Sequence, residues 1–341
     1  MKVDGAILAH SPGDAAAAAR QLEELGYDGG FTFEGPHDPF LPLAIAAEHT
    51  ERLELSTAVA IALVRSPLTL AQLGYDLQLQ SRGRFVLGLG PQVKAHVERR
   101  YGMTWSLPLA RMRELVQANR AIWAAWHEGE KLDFRGRFYT HTLMPPVLAP
   151  GSNPFGLPRI FLAGVGRRMT EVAGEVADGH IVHPLHTRAY LDDVLLPAIE
   201  TGRARAPRTR DPFEVSCQVM VATGDDDDEM TTAITAAKMQ IAFYGSTPAY
   251  RHVLEHCGRA DVHAELHRLS RQGAWVEMAA RIDDALLDSI AIVGPRREIA
   301  RRLLERYGGR VDRISPVAPA TPEPAALASV VAGLKSSSPG A

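Results

Sequence analysis

The sequence predicts an α/β fold, a TIM (β/α)8 barrel with helical and loop insertions. Three observations predict it. A unit of short apolar strand, polar loop and amphipathic helix recurs from the first residues; eight such strands can be placed; and a helix follows each. That alternation favours a closed parallel barrel over a doubly wound sheet. The 341 residues would suit two average domains or one large barrel, so the repeat rather than the length decides. One domain is expected over residues 1–335, with a disordered Ser-Pro-Gly tail at 336–341.

Strands are expected at residues 3–9, 30–34, 53–61, 84–90, 159–163, 180–185, 213–223 and 309–317, where short apolar runs rich in β-formers are bounded by turn residues. Ser11 caps the first helix, Pro12 begins it, Ala15 to Leu25 carry it and Gly26 stops it. Helices over 41–50 and 67–80 follow strands two and three. A long helix over 109–127 follows strand four after a polar stretch, with Met112, Leu115, Val116, Ala121, Ile122 and Trp126 as its buried face. Residues 132–158 break the pattern with frequent Pro and Gly, and Phe134 to Phe138 read as a small hairpin on a surface excursion. The helix over 189–201 must kink or break at Pro197. Asp225 to Glu229 suit the positive end of the next helix dipole as a solvated cap. Residues 230–257 are largely helical, 261–282 form a further helical insertion with Trp275 and Met278, and 295–307 read as a basic amphipathic helix. A last helix covers 324–334.

Composition narrows the function. The apolar content of 46% and charged content of 23% belong to a soluble globular protein. A formal charge of -3 argues against nucleic-acid or membrane-surface binding by bulk electrostatics. Cys217 and Cys257 lack metal-ligand spacing and suit free thiols in a reducing compartment, with Cys217 in the core. The chain starts on a strand without the basic and apolar blocks of a signal peptide, and no run of 18 apolar residues exists. A cytoplasmic protein with no metal, no membrane span and a small-molecule partner is the expectation.

In a parallel barrel the loops that follow the strands gather at one rim. Residues 84–96 read R-F-V-L-G-L-G-P-Q-V-K-A-H, a strand feeding a Gly-rich turn and then a helix start, whose unpaired N–H groups suit a phosphate. It is not a dinucleotide fingerprint, because Val93 stands where the third Gly belongs. A tight connection without a ligand explains it equally. A second such turn, Gly164-Val165-Gly166-Arg167, follows strand five, and one phosphate could sit between the two. After strand two, Glu34-Gly-Pro-His37-Asp38 sets an imidazole beside a carboxylate, which suits proton transfer; alternatively Asp38 caps the next helix and His37 is exposed. The small residues Ser56 to Ala60 would let a flat ring lie against strand three, or simply pack the barrel, and Arg65 would hold an anion or lie at the surface. His183 and His186 add titratable groups after strand six, core or surface roles being open to both. Met239, Phe243, Tyr244 and Trp275 are candidates for a substrate wall or for core.

Taken together these residues resemble the bacterial luciferase-like monooxygenase superfamily, and within it the oxidoreductases that use the deazaflavin coenzyme F420. The matching pieces are Leu25-Gly-Tyr-Asp28, Glu34-x-x-His37-Asp38-Pro-Phe40, Thr50-x-Arg52-Leu53-x-Leu55-x-Thr57 and Arg65-Ser-Pro67. They continue through Ser81-x-Gly83-Arg84-Phe85-x-Leu87-Gly-Leu-Gly90, Gln92 to Arg100, and Ala173-Gly-Glu-Val-Ala-Asp178-Gly179. The resemblance spans roughly residues 1–335.

It implies a ring seated in the central rim pocket on a bulge of strand three with a non-prolyl cis peptide near Ala58-Val59. The cofactor phosphate would take donors from Gly90, Gln92 and Val93 and from Gly164, Val165, Gly166 and Arg167, with Arg65 and His183 also in the cofactor site. His37 or Asp38, with Glu34, would serve catalysis. The chain departs from its relatives at Ser56, where they usually carry Gly, and at Pro91, where many carry Ser, which removes one donor and leaves the phosphate to Gln92 and Val93. The order His37-Asp38 is also reversed in some relatives. Hydride transfer between coenzyme F420 and a small organic substrate is the expected function. An FMN-dependent monooxygenase and a cofactor-binding barrel without turnover are the alternatives, and a homodimer is expected by analogy.

Overall fold

The computed structural model describes residues 1–206, 212–321 and 323–336. Eight parallel strands close into a barrel in chain order: β1 (Lys2–Ala6), β2 (Gly29–Thr32), β3 (Glu54–Thr57), β4 (Phe85–Gly90), β5 (Arg159–Gly164), β6 (Gly179–Val182), β7 (Glu214–Gly224) and β8 (Arg313–Val317). Each pairs with the next, and β8 returns to β1 with Lys2 opposite Arg313. Helices surround the barrel, so the expected fold class is the observed one.

Local chemistry accounts for the helix boundaries. Before α1 (Ala15–Glu24), Ser11 and Asp14 form a reciprocal capping box around a 3-10 turn at Pro12–Asp14. Ala15, Ala19 and Leu22 of α1 face the core at helical spacing, and Gly26 adopts the left-handed φ of 82° that ends the helix. The next helix is α2 (Phe40–His49). In α3 (Pro67–Gln80), the Ser66 hydroxyl accepts from Thr69 N at 3.1 Å and Pro67 supplies the first helical position. The long helix α4 (Pro108–His127) buries Met112, Leu115, Val116, Ile122 and Trp126 as expected; Ala121 lies half-buried beside them. Trp123, unassigned by the sequence pattern, is fully buried and donates its indole N–H to Ala71 O at 3.0 Å.

The cis-peptide bulge implied near Ala58-Val59 and the interruption expected at Pro197 are both present, and one strand was not expected. Strand three is not continuous over 53–61: it stops at Thr57, a cis peptide joins Ala58 to Val59, and Ala60–Ile61 resume pairing against β4. The helix over 189–201 opens into a π-helical turn at Leu191–Leu195 before α6 (Leu196–Arg203), the local adjustment demanded by Pro197, which cannot donate and crowds the preceding turn. A short strand, Ile292–Pro295, pairs in parallel with the far end of β7 and was not legible, since four residues give no usable period.

The Asp226 carboxylate accepts from Glu229 N at 2.8 Å and caps α7 (Asp227–Gly245), as the acidic run implied. Phe134–Arg135 and Thr140–His141 form the expected hairpin. The helical insertion resolves into Ala260–Ser270, Trp275–Ala279 and Asp284–Ile290, followed by α8 (Arg296–Tyr307). The last helix, α9 (Ala328–Ser336), reaches Ser336; the remainder of the expected tail, 337–341, lies outside the described residues.

The floor of the barrel is an ion-pair lattice at the N-terminal ends of the strands. Arg313 of β8 forks onto Asp4 of β1 at 2.7 and 2.8 Å, and reaches Glu54 of β3 at 2.7 Å and Glu214 of β7 at 3.2 Å. Arg159 of β5 bridges the same two glutamates at 2.9 and 2.6 Å. Burial opposes ionisation of Glu54, but Arg313, Lys2 and Arg159 outweigh it and hold its pKa down to about 2. Above this floor, Val86, Phe161 and Ile181 form a small apolar layer that carries Ala58, Val59 and Ala163. The closed bottom leaves the opposite mouth as the site.

Candidate active site

At the C-terminal ends of the strands lies a cavity of about 1390 Å³. Its volume exceeds the usual range for one small ligand, and it sits where barrel enzymes keep their chemistry. Ala58, Val59 and Ala163 line its base on the apolar layer. Gly90, Gln92 and Val93 reach it from the β4 turn, and Gly164, Val165, Gly166 and Arg167 from the β5 turn. The barrel thus brings together two turns separated by more than 70 residues. Glycine is required at Gly90, where a Cβ would stand 2.7 Å from Val59 Cγ2, and at Gly88 beneath it, where a Cβ would stand 1.7 Å from Thr57 O. The Thr57 hydroxyl seals that approach by donating to Gly88 O at 2.6 Å and accepting from Gly88 N at 3.0 Å.

Glu34, at the end of β2, lines the cavity and its acceptor sites are well used. Oε2 accepts from Ile61 N and Arg65 Nη1, both at 2.6 Å, and Oε1 accepts from the Tyr101 hydroxyl at 3.0 Å. Arg65 stands behind the wall, its other arm donating to Asp38 Oδ2 at 3.0 Å. Burial and the Glu34 carboxylate raise the Tyr101 pKa, keeping the phenol protonated. Asp38 also accepts from Phe40 N at 2.8 Å and so takes the helix-capping alternative, while His37 is exposed. Neither His37 nor Asp38 is on the cavity wall. Asp38 follows the α2 entry outward, and His37 with it.

His183 follows β6 on the cavity wall. Its Nδ1 accepts from Leu185 N at 3.1 Å, which puts the proton of the neutral ring on Nε2. Burial, and then the neighbouring His186, push its pKa down to about 3, so the ring is a neutral donor. Tyr244 packs edge-on against it at 4.6 Å and Tyr250 lies at 4.8 Å. His186 turns away, its Nδ1 donating to His183 O at 2.8 Å and its Nε2 facing the fully buried Cys217 thiol at 3.5 Å. Of the four candidates for a substrate wall, Phe243 and Tyr244 line the cavity, whereas Met239 is half-exposed and Trp275 meets Phe243 from outside at 6.3 Å between ring centroids.

Sequence reasoning missed Tyr250 and His252, which border the cavity, and Tyr101, which stands behind its wall on Glu34. Tyr101 precedes Gly102 and Tyr250 follows Gly245-Ser-Thr-Pro248, so turn signals stand nearby, but none of them says which distant strand end the side chain meets. Among the described residues no group of three His, Cys, Asp or Glu side chains could hold a metal ion, and no helix is long and apolar enough to cross a membrane.

A closed parallel barrel with an apolar cavity at its strand ends, bordered by two glycine-rich turns and a cis-peptide bulge, defines the class: a TIM barrel with its cavity at the face where such barrels keep their active sites. The chain belongs to the luciferase-like monooxygenase family, whose model matches residues 1–313. It is 54% identical over 317 residues to an uncharacterised protein of Mycobacterium tuberculosis, covering 93% of each. It is 28% identical to 5,10-methylenetetrahydromethanopterin reductase of Archaeoglobus fulgidus, over 87% of this chain and 88% of that one. At the same identity it matches a candidate coenzyme F420-dependent oxidoreductase of M. tuberculosis, over 86% and 88%. Among solved structures, the F420-dependent tetrahydromethanopterin reductase of Methanopyrus kandleri superposes with a TM-score of 0.76 at 18% identity, covering 98% of this chain and 96% of that one. EDTA monooxygenase of Chelativorans sp. BNC1 superposes with a TM-score of 0.69 at 16% identity, covering 98% and 94%. The same fold is thus found in an F420-dependent reductase and in a monooxygenase.

Proposed function

We propose that this chain is a coenzyme F420-dependent oxidoreductase that moves a hydride between the deazaflavin and a small organic substrate. The observation that carries the reading is the convergence, in one apolar cavity, of the β4 and β5 glycine turns with the bulged end of β3. The relatives at 28% identity support deazaflavin chemistry over the FMN monooxygenase alternative. The residues present fit such a group: Ala58, Val59 and Ala163 offer a smooth apolar wall, and the glycine turns bring backbone to the cavity.

The bound deazaflavin supplies the carbon that gives or takes the hydride. The chain supplies the rest. Apolar walls exclude water, so each remaining polar group acts at low dielectric. His183 holds its Nε2 proton as a neutral donor for an oxygen of substrate or cofactor. Glu34 is ion-paired with Arg65 and accepts the Tyr101 hydroxyl at Oε1, which makes this pair the proton-handling group we assign in place of the exposed His37. Asp38 positions Arg65.

Titrating the purified protein with F420 and with FMN, read by cofactor fluorescence, tests the assignment. Saturable F420 binding is expected, and tight FMN binding without F420 binding would overturn it. A His37→Ala variant should retain turnover, whereas Tyr101→Phe should lower kcat with little change in F420 affinity.

A further inference from the structure

One wall of the cavity does not stop at the mouth. The charged side chains of the lining stand elsewhere: Arg167 and Arg168 open α5 (Arg167–Val176), whose N-cap Gly166 lies against His252, and Arg251 is the residue before that histidine. Glu34, at the end of β2, is ion-paired with Arg65. The wall built after β6 and β7 is instead a row of rings. His183 is its inner end, with Tyr244 packed edge-on at 4.6 Å and Tyr250 at 4.8 Å. Phe243 follows Tyr244 at 5.7 Å, and Trp275 follows Phe243 at 6.3 Å. These are the separations of interacting aromatic pairs.

Exposure rises along the row. Tyr244 is half-buried, Phe243 is 50% exposed, and Val276, beside Trp275 at the outer end, is 81% exposed. The row is also firmly built. Phe243 and Tyr244 lie in the last turn of α7, Met239 precedes Phe243 by one turn on the same half-exposed face, and the short helix Trp275–Ala279 packs along α7 with Met278 buried. Two helices thus hold contiguous apolar surface in water. An apolar patch that continues a cavity wall is the surface a ligand covers when it is longer than the cavity is deep. At the inner end stands one neutral donor, Nε2 of His183, for a single oxygen.

We propose that the row His183–Tyr244–Phe243–Trp275 is the substrate track: the substrate is an amphiphile whose oxygen-bearing head meets His183 and whose extended apolar arm leaves the cavity along Phe243 and lies on Trp275. This rests on the reading above that the cavity holds a small organic redox substrate.

The test is calorimetric titration of the purified protein, free of cofactor, with straight-chain methyl ketones from pentanone to tridecanone. Wild type should bind about two- to fourfold more tightly for each methylene added along the row. Trp275→Ala should leave pentanone unchanged and bind undecanone about tenfold more weakly, with Phe243→Ala acting in the same direction. His183→Phe, which removes the head's partner, should weaken every chain length by the same factor. No dependence on length in wild type, or an equal loss at every length in Trp275→Ala, would overturn the proposal. So would a change of mass in sedimentation between wild type and Trp275→Ala, because a second copy of the chain would then be what covers the patch. No cofactor enters this titration, so failure of the F420 reading shows separately, in the cofactor titrations above.

Discussion

Single residues in this barrel carry sharply unequal weight. Glu34 is nearly buried and neutralises Arg65, whose side chain is 14% exposed. Glu34→Ala leaves that guanidinium with Asp38 and the Ile61 carbonyl, and a broken buried pair costs about 3 kcal/mol or more. A lowered urea midpoint at unchanged m-value would show it. Three histidines act through the unfolded state. Burial pushes His180 and His186 down to about 4 and His183 to about 3, so all three fold neutral. Their pKa values are depressed on folding, so the unfolded chain binds the extra protons; the associated stability is present above about pH 6.5 and drains away as pH falls toward 4. Urea midpoints measured between pH 7 and 4.5 should therefore fall with acidification, and less steeply in His180→Gln. Cys217, buried with its thiol pushed up, should stay unreactive toward thiol reagents in the folded protein while the half-buried Cys257 reacts.

At the level of elements, the β3–β4 junction is the tightest point under the cavity. Gly88→Ala would drive a methyl into the Thr57 carbonyl, a backbone atom that cannot swing aside. Loss of folded protein, or a melting temperature lower by more than about 5 °C, is expected by calorimetry. The floor lattice makes a second, pH-dependent prediction. Glu54 has its pKa lowered to about 2 by its cations, so its contribution is complete above about pH 4.5 and is lost as pH falls through 2. Arg313→Met removes the central cation and strands Asp4. It should destabilise by about 3–5 kcal/mol at pH 7 and flatten the remaining pH dependence below pH 4.5. Denaturant curves from pH 5 to 2 would check both.

For the whole molecule, a cofactor that binds only the folded barrel stabilises it by about 2.7 kcal/mol at one hundred times its dissociation constant. Thermal melts with saturating F420 should rise by several degrees and melts with FMN should not. The barrel itself was legible because strand period, glycine punctuation and helix caps are local signals: Ser11 and the acidic run at Asp226 cap where their positions imply, and all eight strands lie within a few residues of expectation. Part of the cavity wall followed from it, since closing eight parallel strands gathers the loops after β3, β4, β5 and β6 at one mouth. What the sequence by itself determined was therefore which turns share a rim. Only the tertiary structure decided which side chains meet across it: Tyr101 folds onto Glu34, His252 onto Gly166, and Arg313 onto Asp4, 309 residues away. It also turned His37 outward, because Asp38 spends one carboxylate oxygen capping Phe40 and the other on Arg65. Periodicity runs along a chain and assigns a face. Contacts across a closed barrel depend on strand register and on where each insertion packs, quantities that no local window contains.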